Sequence, residues 1–299
     1  MLTRRQFLAT SGAALAASLT PTVSTAVGFN KPLGIQLFAI RAELAKDFEG
    51  TLKRVAAAGF HELEFAGYFN KDAMQIKTIT DSLNLSCISA HHSAVDLETR
   101  ADAILEFAAK LNLKHLVCST PKSFAPERAE KLSWNNYMYA LTLDDWKANA
   151  ELFNKFGEKA KKAGLQFAYH NYCVEFRRID NVVAYDELLR LTDQQLVKIQ
   201  LDCGWAVAGG ASPLSIMQRH QHRIISLHLK DLKNKANAVA PESTANVPLG
   251  KGILDWPTLL RAAEKDAIEH YFLEQEPPYV EPIFDSLTAS MQYLSHMKL

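Results

Sequence analysis

Eight short apolar runs, separated by stretches in which apolar residues recur at helical spacing, constrain the fold of this chain more than any other feature. The runs cover residues 33–38, 61–65, 85–90, 114–119, 167–170, 199–202, 225–228 and 271–274. Short runs that are apolar on both faces are typical of buried parallel strands, and helices between them provide the required crossovers. Eight such repeats predict a single closed (β/α)8 barrel of the α/β class rather than an open sheet.

The segments between the runs carry ordinary helix boundaries. Gly59 and Gly164 each follow an apolar helical face, as expected of C-terminal caps, and Pro257 lies in the first turn of a third helix. Two connections, residues 120–142 and 231–254, are long, and both follow strands. Because loops after barrel strands surround the active face, we expect these two to form its walls.

The last four apolar runs each end on a residue that can bind a divalent metal ion. These residues are His170, Asp202, His228 and Glu274. The carboxyl ends of barrel strands share one face, so the pattern predicts that two imidazoles and two carboxylates converge there. Such a set suits one divalent ion, Mn²⁺, Co²⁺, Zn²⁺, Fe²⁺ or Mg²⁺, and leaves its identity open. The alternative for any one of them is a hydrogen-bonding role inside the barrel.

The amino terminus has the features of an export signal. Arg4 and Arg5 precede an apolar stretch of small residues that ends in a Ser-Thr-Ala tripeptide at residues 24–26. The pattern predicts a twin-arginine signal peptide over residues 1–26, a mature domain over residues 27–299 and a periplasmic location. An amphipathic helix or a membrane anchor is the alternative. The stretch is too short to span a bilayer, so we expect no stable membrane anchor after cleavage.

The charge of the chain argues against a nucleic-acid partner. Lys and Arg total 33, Asp and Glu also total 33, and removal of the signal changes the formal charge from 0 to −2. A chain with this balance and no basic run gains little from neutralising phosphates.

The four cysteines are predicted to be free thiols. Cys87, Cys118, Cys173 and Cys203 form no closely spaced pair, and three of them lie in or beside apolar runs. Cysteine in such a setting usually acts as a small buried hydrophobe.

Six segments occur in an order that resembles a known family. They are Gly34-Ile-Gln-Leu-Phe38, Phe167-Ala-Tyr-His-Asn171, Leu201-Asp-Cys-Gly-Trp205, His228-Leu-Lys-Asp231, Gly250-Lys-Gly-Ile-Leu-Asp-Trp256 and Leu273-Glu-Gln275. Together they resemble the sugar phosphate isomerase/epimerase family, which has a xylose-isomerase-like TIM barrel and includes inosose dehydratases and ketose 3-epimerases. The likeness spans essentially all of residues 27–299.

The resemblance implies a metal centre at Asp202, His228 and Glu274, with His170 at the fifth-strand ligand position. Here the sequence departs from the ketose 3-epimerases, which carry a glutamate at that position as one of two opposed acid/base carboxylates. Glu175 lies five residues further along. Whether Glu175 replaces His170 in any role stays open at this point, and an epimerase mechanism with two matched glutamates is not expected.

A bound metal suggests a reaction through an enediolate, because it withdraws electrons from a carbonyl and acidifies the adjacent C–H bond. Glu274 is the first candidate for the acid/base group, while Glu276 is less favoured because it lies past the strand. His170 can ligate the metal or move a proton. Lys230 lies on the same strand face as His228 and is predicted to stabilise the oxyanion; its alternative is a salt bridge with Asp231 or Glu274.

Three further residues are predicted to contact substrate. The resemblance favours His91, rather than its neighbour His92, as the inward-facing residue of the third strand, and Glu64 ends the second strand similarly. Trp205 is predicted to form an apolar wall for a sugar ring, together with Phe38 and Trp134. Purely structural roles are the alternatives.

The sequence thus predicts a divalent-metal-dependent isomerase/epimerase or dehydratase/lyase. Its predicted substrate is an unphosphorylated sugar, cyclitol or keto-glycoside. One alternative is a phosphodiesterase of the apurinic-endonuclease type, which shares this barrel but requires more metal ligands and a basic groove. A non-catalytic periplasmic sugar-binding protein is the other. We expect a small-molecule carbohydrate partner and no nucleic acid, and a homo-oligomer stays open.

Overall fold

The computed structural model describes residues 29–125, 127, 132–235 and 243–298, and its central feature is a closed barrel of eight parallel strands. The strands are β1 Leu33–Gln36, β2 Glu62–Phe65, β3 Ser86–Ser93, β4 His115–Thr120, β5 Gln166–His170, β6 Val197–Asp202, β7 Ile224–Leu229 and β8 His270–Leu273. Each predicted run overlaps one strand, so the predicted fold class is confirmed. The predicted signal at residues 1–26 lies outside the described residues.

The barrel closes because β1 pairs with both β2 and β8. Every other strand pairs with its neighbours in chain order. The carboxyl ends of all eight strands therefore lie at one end of the barrel.

Helices surround the barrel. They are α1 Arg41–Lys46, α2 Phe48–Ala57, α3 Ala73–Ser82, α4 Ala94–Thr99, α5 Ala101–Lys110, α6 Trp134–Ala140, α7 Leu143–Lys162, α8 Ala184–Leu191, α9 Cys203–Ala208, α10 Pro213–Arg219, α11 Trp256–Lys265 and α12 Ile283–His296. In the longest, α7, Thr142 forms a capping box with Asp145, and Phe153 packs on Phe167 and Tyr169 of β5. None of the helices in the described ranges is long and apolar enough to cross a membrane.

The long connection after β7 is organised by one buried carboxylate. The side chain of Asp231 accepts hydrogen bonds from the backbone N–H groups of Leu232, Gly250, Gly252 and Leu254, and from the indole N–H of Trp256, at 2.9–3.2 Å. A Cβ on Gly252 would lie only 2.1 Å from a carboxylate oxygen of Asp231. Glycine is therefore required there for the loop to approach the carboxylate.

The amino-terminal end of the barrel holds a second polar cluster, remote from the strand ends that carry the predicted ligands. His270 Nδ1 lies 2.8 Å from Glu62 Oε2, and the ring of His115 lies 5.2 Å from that of His270. Desolvation and the neighbouring His270 lower the pKa of His115 to about 3.

All four cysteines are free thiols, and three of them are buried. The expectation from the sequence is confirmed.

Candidate active site

The four predicted metal ligands meet at the carboxyl end of the barrel. His170 and Asp202 are the last residues of β5 and β6, His228 is the penultimate residue of β7, and Glu274 directly follows β8. One ligand atom from each residue lies within 4.8 Å of the others, and all four residues are buried. The structure therefore brings together the residues that the strand-end pattern selected.

Two of these residues carry polar atoms that find no hydrogen-bond partner among the described residues. They are His170 Nδ1 and Asp202 Oδ2, although Asp202 Oδ2 lies 3.0 Å from Lys230 Nζ. Burial, with the charges of His228 and His91, holds the pKa of His170 well below its usual range, so its imidazole is neutral. A neutral imidazole and a buried carboxylate oxygen that accepts no hydrogen bond are suitable ligands for a divalent ion.

Asp202 has a second role in local structure. Its Oδ1 accepts a hydrogen bond of 2.7 Å from the backbone N–H of Trp205 and thereby caps α9. The backbone N–H of Asp202 donates to Asn171 Oδ1 at 3.0 Å. These bonds fix the Asp202 side chain so that one oxygen caps α9. The other oxygen faces the remaining three residues of the ligand cluster, which we define as His170, Asp202, His228 and Glu274.

His228 is held between two carboxylates. Its Nε2 lies 2.6 Å from Glu64 Oε1, and its Nδ1 lies 2.8 Å from Glu274 Oε2. Burial alone would lower the pKa of His228, but these carboxylates raise it to about 10. In the absence of a bound ion His228 is therefore an imidazolium, and a metal ion would bind Nδ1 only after that nitrogen releases its proton. A carboxylate behind a histidine is a common device for orienting a metal ligand.

Glu64, predicted as a substrate contact, lies beneath the ligand cluster and is completely buried. Its carboxylate accepts hydrogen bonds from Gln36, Ser89 and Gln200 in addition to contacting His228 and His91. Despite its burial, the charges of His91 and His228 hold the pKa of Glu64 well below its usual range. Glu64 therefore lies where its carboxylate orients the neighbouring side chains of His228 and His91.

Lys230 is also completely buried, and its ammonium faces three carboxylates. Nζ lies 2.5 Å from Glu276, 3.0 Å from Asp202 and 3.2 Å from Glu274. A Cβ on Gly204 would lie 2.8 Å from Lys230 Cγ, so glycine allows α9 to pack closely there. The sequence placed Lys230 against a substrate oxyanion; the structure instead places it against carboxylates, including the Glu274 partner named as the alternative.

Above the cluster opens a cavity of about 440 Å³. His170, Glu274 and Glu276 line its polar part. His91, as predicted, faces inward: its Nε2 lies 2.6 Å from Gln200 Oε1, and its ring stacks on that of His228 at 5.5 Å. His92 also lines the cavity, although alternation along the strand predicted that only one of the two histidines would enter the barrel.

Comparison with known proteins places this architecture in a family. The family model described as the xylose isomerase-like TIM barrel matches residues 52–296, which is most of the chain. The chain belongs to the xylose isomerase-like TIM barrel family.

The individual proteins that this chain resembles share low sequence identity with it. An inosose dehydratase of Clostridium perfringens is 26% identical over 257 residues, which cover 79% of this chain and 85% of the relative. A sugar phosphate isomerase/epimerase structure from Parabacteroides distasonis has a TM-score of 0.72 at 24% identity, covering 92% of this chain and 97% of the other. The IOLI protein, solved with a zinc atom, has a TM-score of 0.64 at 13% identity, with coverages of 87% and 95%. At these identities the structural likeness concerns the fold.

Aromatic side chains form one wall of the cavity in this xylose isomerase-like barrel. Trp134, Tyr172 and Trp205 lie in succession, with ring centroids 4.6 Å and 4.4 Å apart, and Phe38 also lines the cavity. Trp205, Trp134 and Phe38 are therefore placed as the sequence predicted. Such a wall suits stacking of a sugar ring.

Glu175 does not take the place of His170 in this barrel. Its Oε1 accepts hydrogen bonds of 2.5 Å from the Tyr169 hydroxyl and 2.8 Å from the Tyr172 backbone N–H. It is completely buried and is not among the described residues that line the cavity. Of these two residues, only His170 therefore belongs to the group of candidate ligands.

Sequence reasoning undervalued two sets of residues in the xylose isomerase-like barrel. Gln200 lies two residues before Asp202, and Ser89 lies two residues before His91, so period-two alternation could have placed both in the layer below the site. Glu276 lines the cavity although it lies past the end of β8. Because alternation ends with the strand, the sequence carried no signal for its direction.

Proposed function

We propose that this chain is a divalent-metal-dependent enzyme that removes the proton next to a carbonyl in an unphosphorylated sugar, cyclitol or keto-glycoside. One observation carries the proposal: ligand atoms of His170, Asp202, His228 and Glu274 lie within 4.8 Å of one another, directly beneath a cavity. The cavity volume of about 440 Å³ suits a small organic molecule.

The donor set, with two buried atoms that make no hydrogen bond among the described residues, supports one bound ion, Mn²⁺, Co²⁺, Zn²⁺, Fe²⁺ or Mg²⁺. The zinc atom in the related IOLI fold agrees with this proposal. When bound, the ion supplies Lewis acidity that polarises a substrate carbonyl. Four carboxylates, Glu64, Asp202, Glu274 and Glu276, face one ammonium and one imidazolium, so a divalent cation also suits the local charge.

The protein's own residues have distinct roles in this proposal. Glu64 orients His228, and Lys230 neutralises part of the charge of Asp202 and Glu274. His91 and Trp205 line the cavity and are proposed to contact the sugar. Burial would raise the pKa of Glu274, but Lys230 and His228 hold it below its usual range. Glu274 is therefore an anionic ligand.

Elimination of water, as in a dehydratase or lyase, is the reaction that we favour over isomerisation or epimerisation. The curated relatives named inosose dehydratase support this choice. His170 supports it as well, because it occupies the position at which a 3-epimerase would need a second acid/base carboxylate.

The cavity wall favours an uncharged substrate over a nucleic acid. Asp96, Glu274 and Glu276 line it, and none of the described residues that line it is a lysine or an arginine. A phosphodiester would meet repulsion at such a wall.

We further propose that the protein is exported to the periplasm by the twin-arginine route. Cell fractionation of wild type and of an Arg4→Lys/Arg5→Lys variant tests this proposal.

Metal analysis and hydrogen exchange test the proposal together. We expect one ion per chain after reloading, and metal affinity reduced at least about 10-fold in His170→Ala but unchanged in the exposed-site control His61→Ala. Reloaded wild type should incorporate deuterium from D₂O next to the carbonyl of an inosose or a keto-glycoside, and should release water from it. Cleavage of abasic DNA without exchange would favour the nuclease. Sugar binding without metal or turnover would favour a binding protein.

A further inference from the structure

Glu276 is held at the cavity wall by two donors. Its Oε1 accepts hydrogen bonds from Lys230 Nζ at 2.5 Å and from the Trp205 indole N–H at 2.9 Å. Its backbone N–H donates to Asn246 Oδ1 at 3.1 Å, which fixes the segment that carries it. Among the described residues no donor bonds to Oε2, and the side chain keeps 25% of its surface exposed.

The other carboxylates at the floor of the site are committed. The Glu64 side chain is fully buried, with both oxygens occupied by hydrogen bonds. Asp202 is also fully buried, with one oxygen in the α9 cap and the other 3.0 Å from Lys230. Glu274 contacts His228 and Lys230 and is only 6% exposed. A base must both reach the substrate and exchange its proton with water, and these three groups cannot easily do the latter.

One other exposed carboxylate lines the cavity, but it lies apart from the ligand cluster. Asp96 lies 2.6 Å from the Ser93 hydroxyl and 3.5 Å from the Arg100 guanidinium, in the first turn of α4. No described contact links Asp96 to the four candidate ligands. Glu276 is connected to them through Lys230.

We propose that Glu276 is the catalytic base that takes the proton from the substrate carbon and returns it later in the reaction. This inference rests on the proposed function. The C–H bond breaks, its proton goes to Glu276 Oε2, and its electron pair forms the C=C bond of an enediolate whose charge lies on the former carbonyl oxygen. In the elimination, the carbonyl re-forms, the C=C bond shifts toward the β-carbon, and the β-hydroxyl leaves as water with the proton from Glu276.

The hydrogen bonds to Oε1 support this assignment. Lys230 and Trp205 fix one oxygen, so the carboxylate does not have to be ordered when substrate binds. Lys230 therefore acts as a positioning residue for Glu276. The same ammonium contacts Asp202 and Glu274, which links the base to the proposed metal ligands.

Deuterium incorporation by metal-loaded full-length protein tests the inference. With an inosose or a keto-glycoside in D₂O, the rate of deuterium exchange should be about 10²–10⁴-fold lower in Glu276→Gln than in wild type. The variant should keep the metal content and metal affinity of wild type. The matched control is Glu281→Gln in the same loop, where Glu281 contacts only Lys251, at 3.6 Å, among the described ion pairs. It should keep wild-type exchange.

Chemical rescue separates a base from a structural anchor. Added formate should restore exchange in Glu276→Ala, in proportion to the concentration of formate anion, because a small carboxylate can enter the vacated space. Wild-type exchange in Glu276→Gln would overturn the assignment while leaving the proposed function standing, and so would a loss in Glu276→Ala that formate does not relieve. If wild type exchanges no hydrogen with either substrate, the proposed function falls, and the assignment falls with it.

Discussion

At the scale of single residues, Lys230 controls the charge of the site. Its ammonium lies within 3.2 Å of three carboxylates and is completely buried. Lys230→Met should reduce the free energy of unfolding of metal-free protein by about 3–5 kcal/mol, because buried carboxylates lose their counterion. Turnover should fall roughly 10²-fold while the metal stays bound, because Glu276 loses the donor that positions its carboxylate.

Chemical denaturation with and without added divalent metal measures this effect. Metal should stabilise Lys230→Met more than wild type, since the ion then supplies the missing positive charge. Lys198→Met is the matched control, because the Lys198 ammonium donates to the backbone carbonyl of His222 at 3.1 Å, away from the cluster. Equal metal stabilisation in the Lys230 variant and wild type would contradict this account.

At the scale of elements, Asp231 determines the shape of the connection between β7 and α11. Asp231→Ala leaves up to five N–H donors without their acceptor, several of them buried, and should cost more than about 3 kcal/mol of unfolding free energy. Denaturation and limited proteolysis measure the loss and locate it. Asp255→Ala, which removes the cap of α11, should cost only about 1 kcal/mol. Similar losses in the two variants would refute the organising role of Asp231.

The strand and ligand pattern could be predicted because it depends on short-range regularities. A run of apolar residues that ends on a chelating side chain identifies both the strand and its active end, as at His170 and Asp202. The role of Glu64 could not be predicted in the same way. Its bond to Gln200 joins residues 136 positions apart, and only closure of the barrel brings them together. Glu276 lies beyond its strand, where alternation no longer fixes the direction of a side chain.

At the scale of the whole molecule, stability should depend on pH through the end of the barrel opposite the cavity. The pKa of His115 is lowered to about 3 by burial and by His270. Between this value and the ordinary value near 6.5, the unfolded chain binds a proton that the folded protein does not. The free energy of unfolding should therefore fall as the solution is acidified. His115 alone should account for about 2 kcal/mol of the loss at pH 5.

Denaturation of wild type and His115→Gln at pH 7.5, 6 and 5 measures this contribution. Between pH 7.5 and pH 5, the free energy of unfolding of the variant should fall by about 2 kcal/mol less than that of wild type. His61→Gln, at an exposed position, is the control and should follow the wild-type curve. Parallel curves for wild type and His115→Gln would show that His115 is not responsible.

The two roles of Asp202 have a consequence for any attempt to change the ion preference of the proposed metal site. Because one of its oxygens caps α9 while the other faces the other three candidate ligands, most substitutions at this position would change the proposed ligand set and also remove the cap of the turn that carries Trp205. His170 makes no such cap at the end of β5. A library that aims to change ion preference should therefore diversify His170 and keep Asp202 constant.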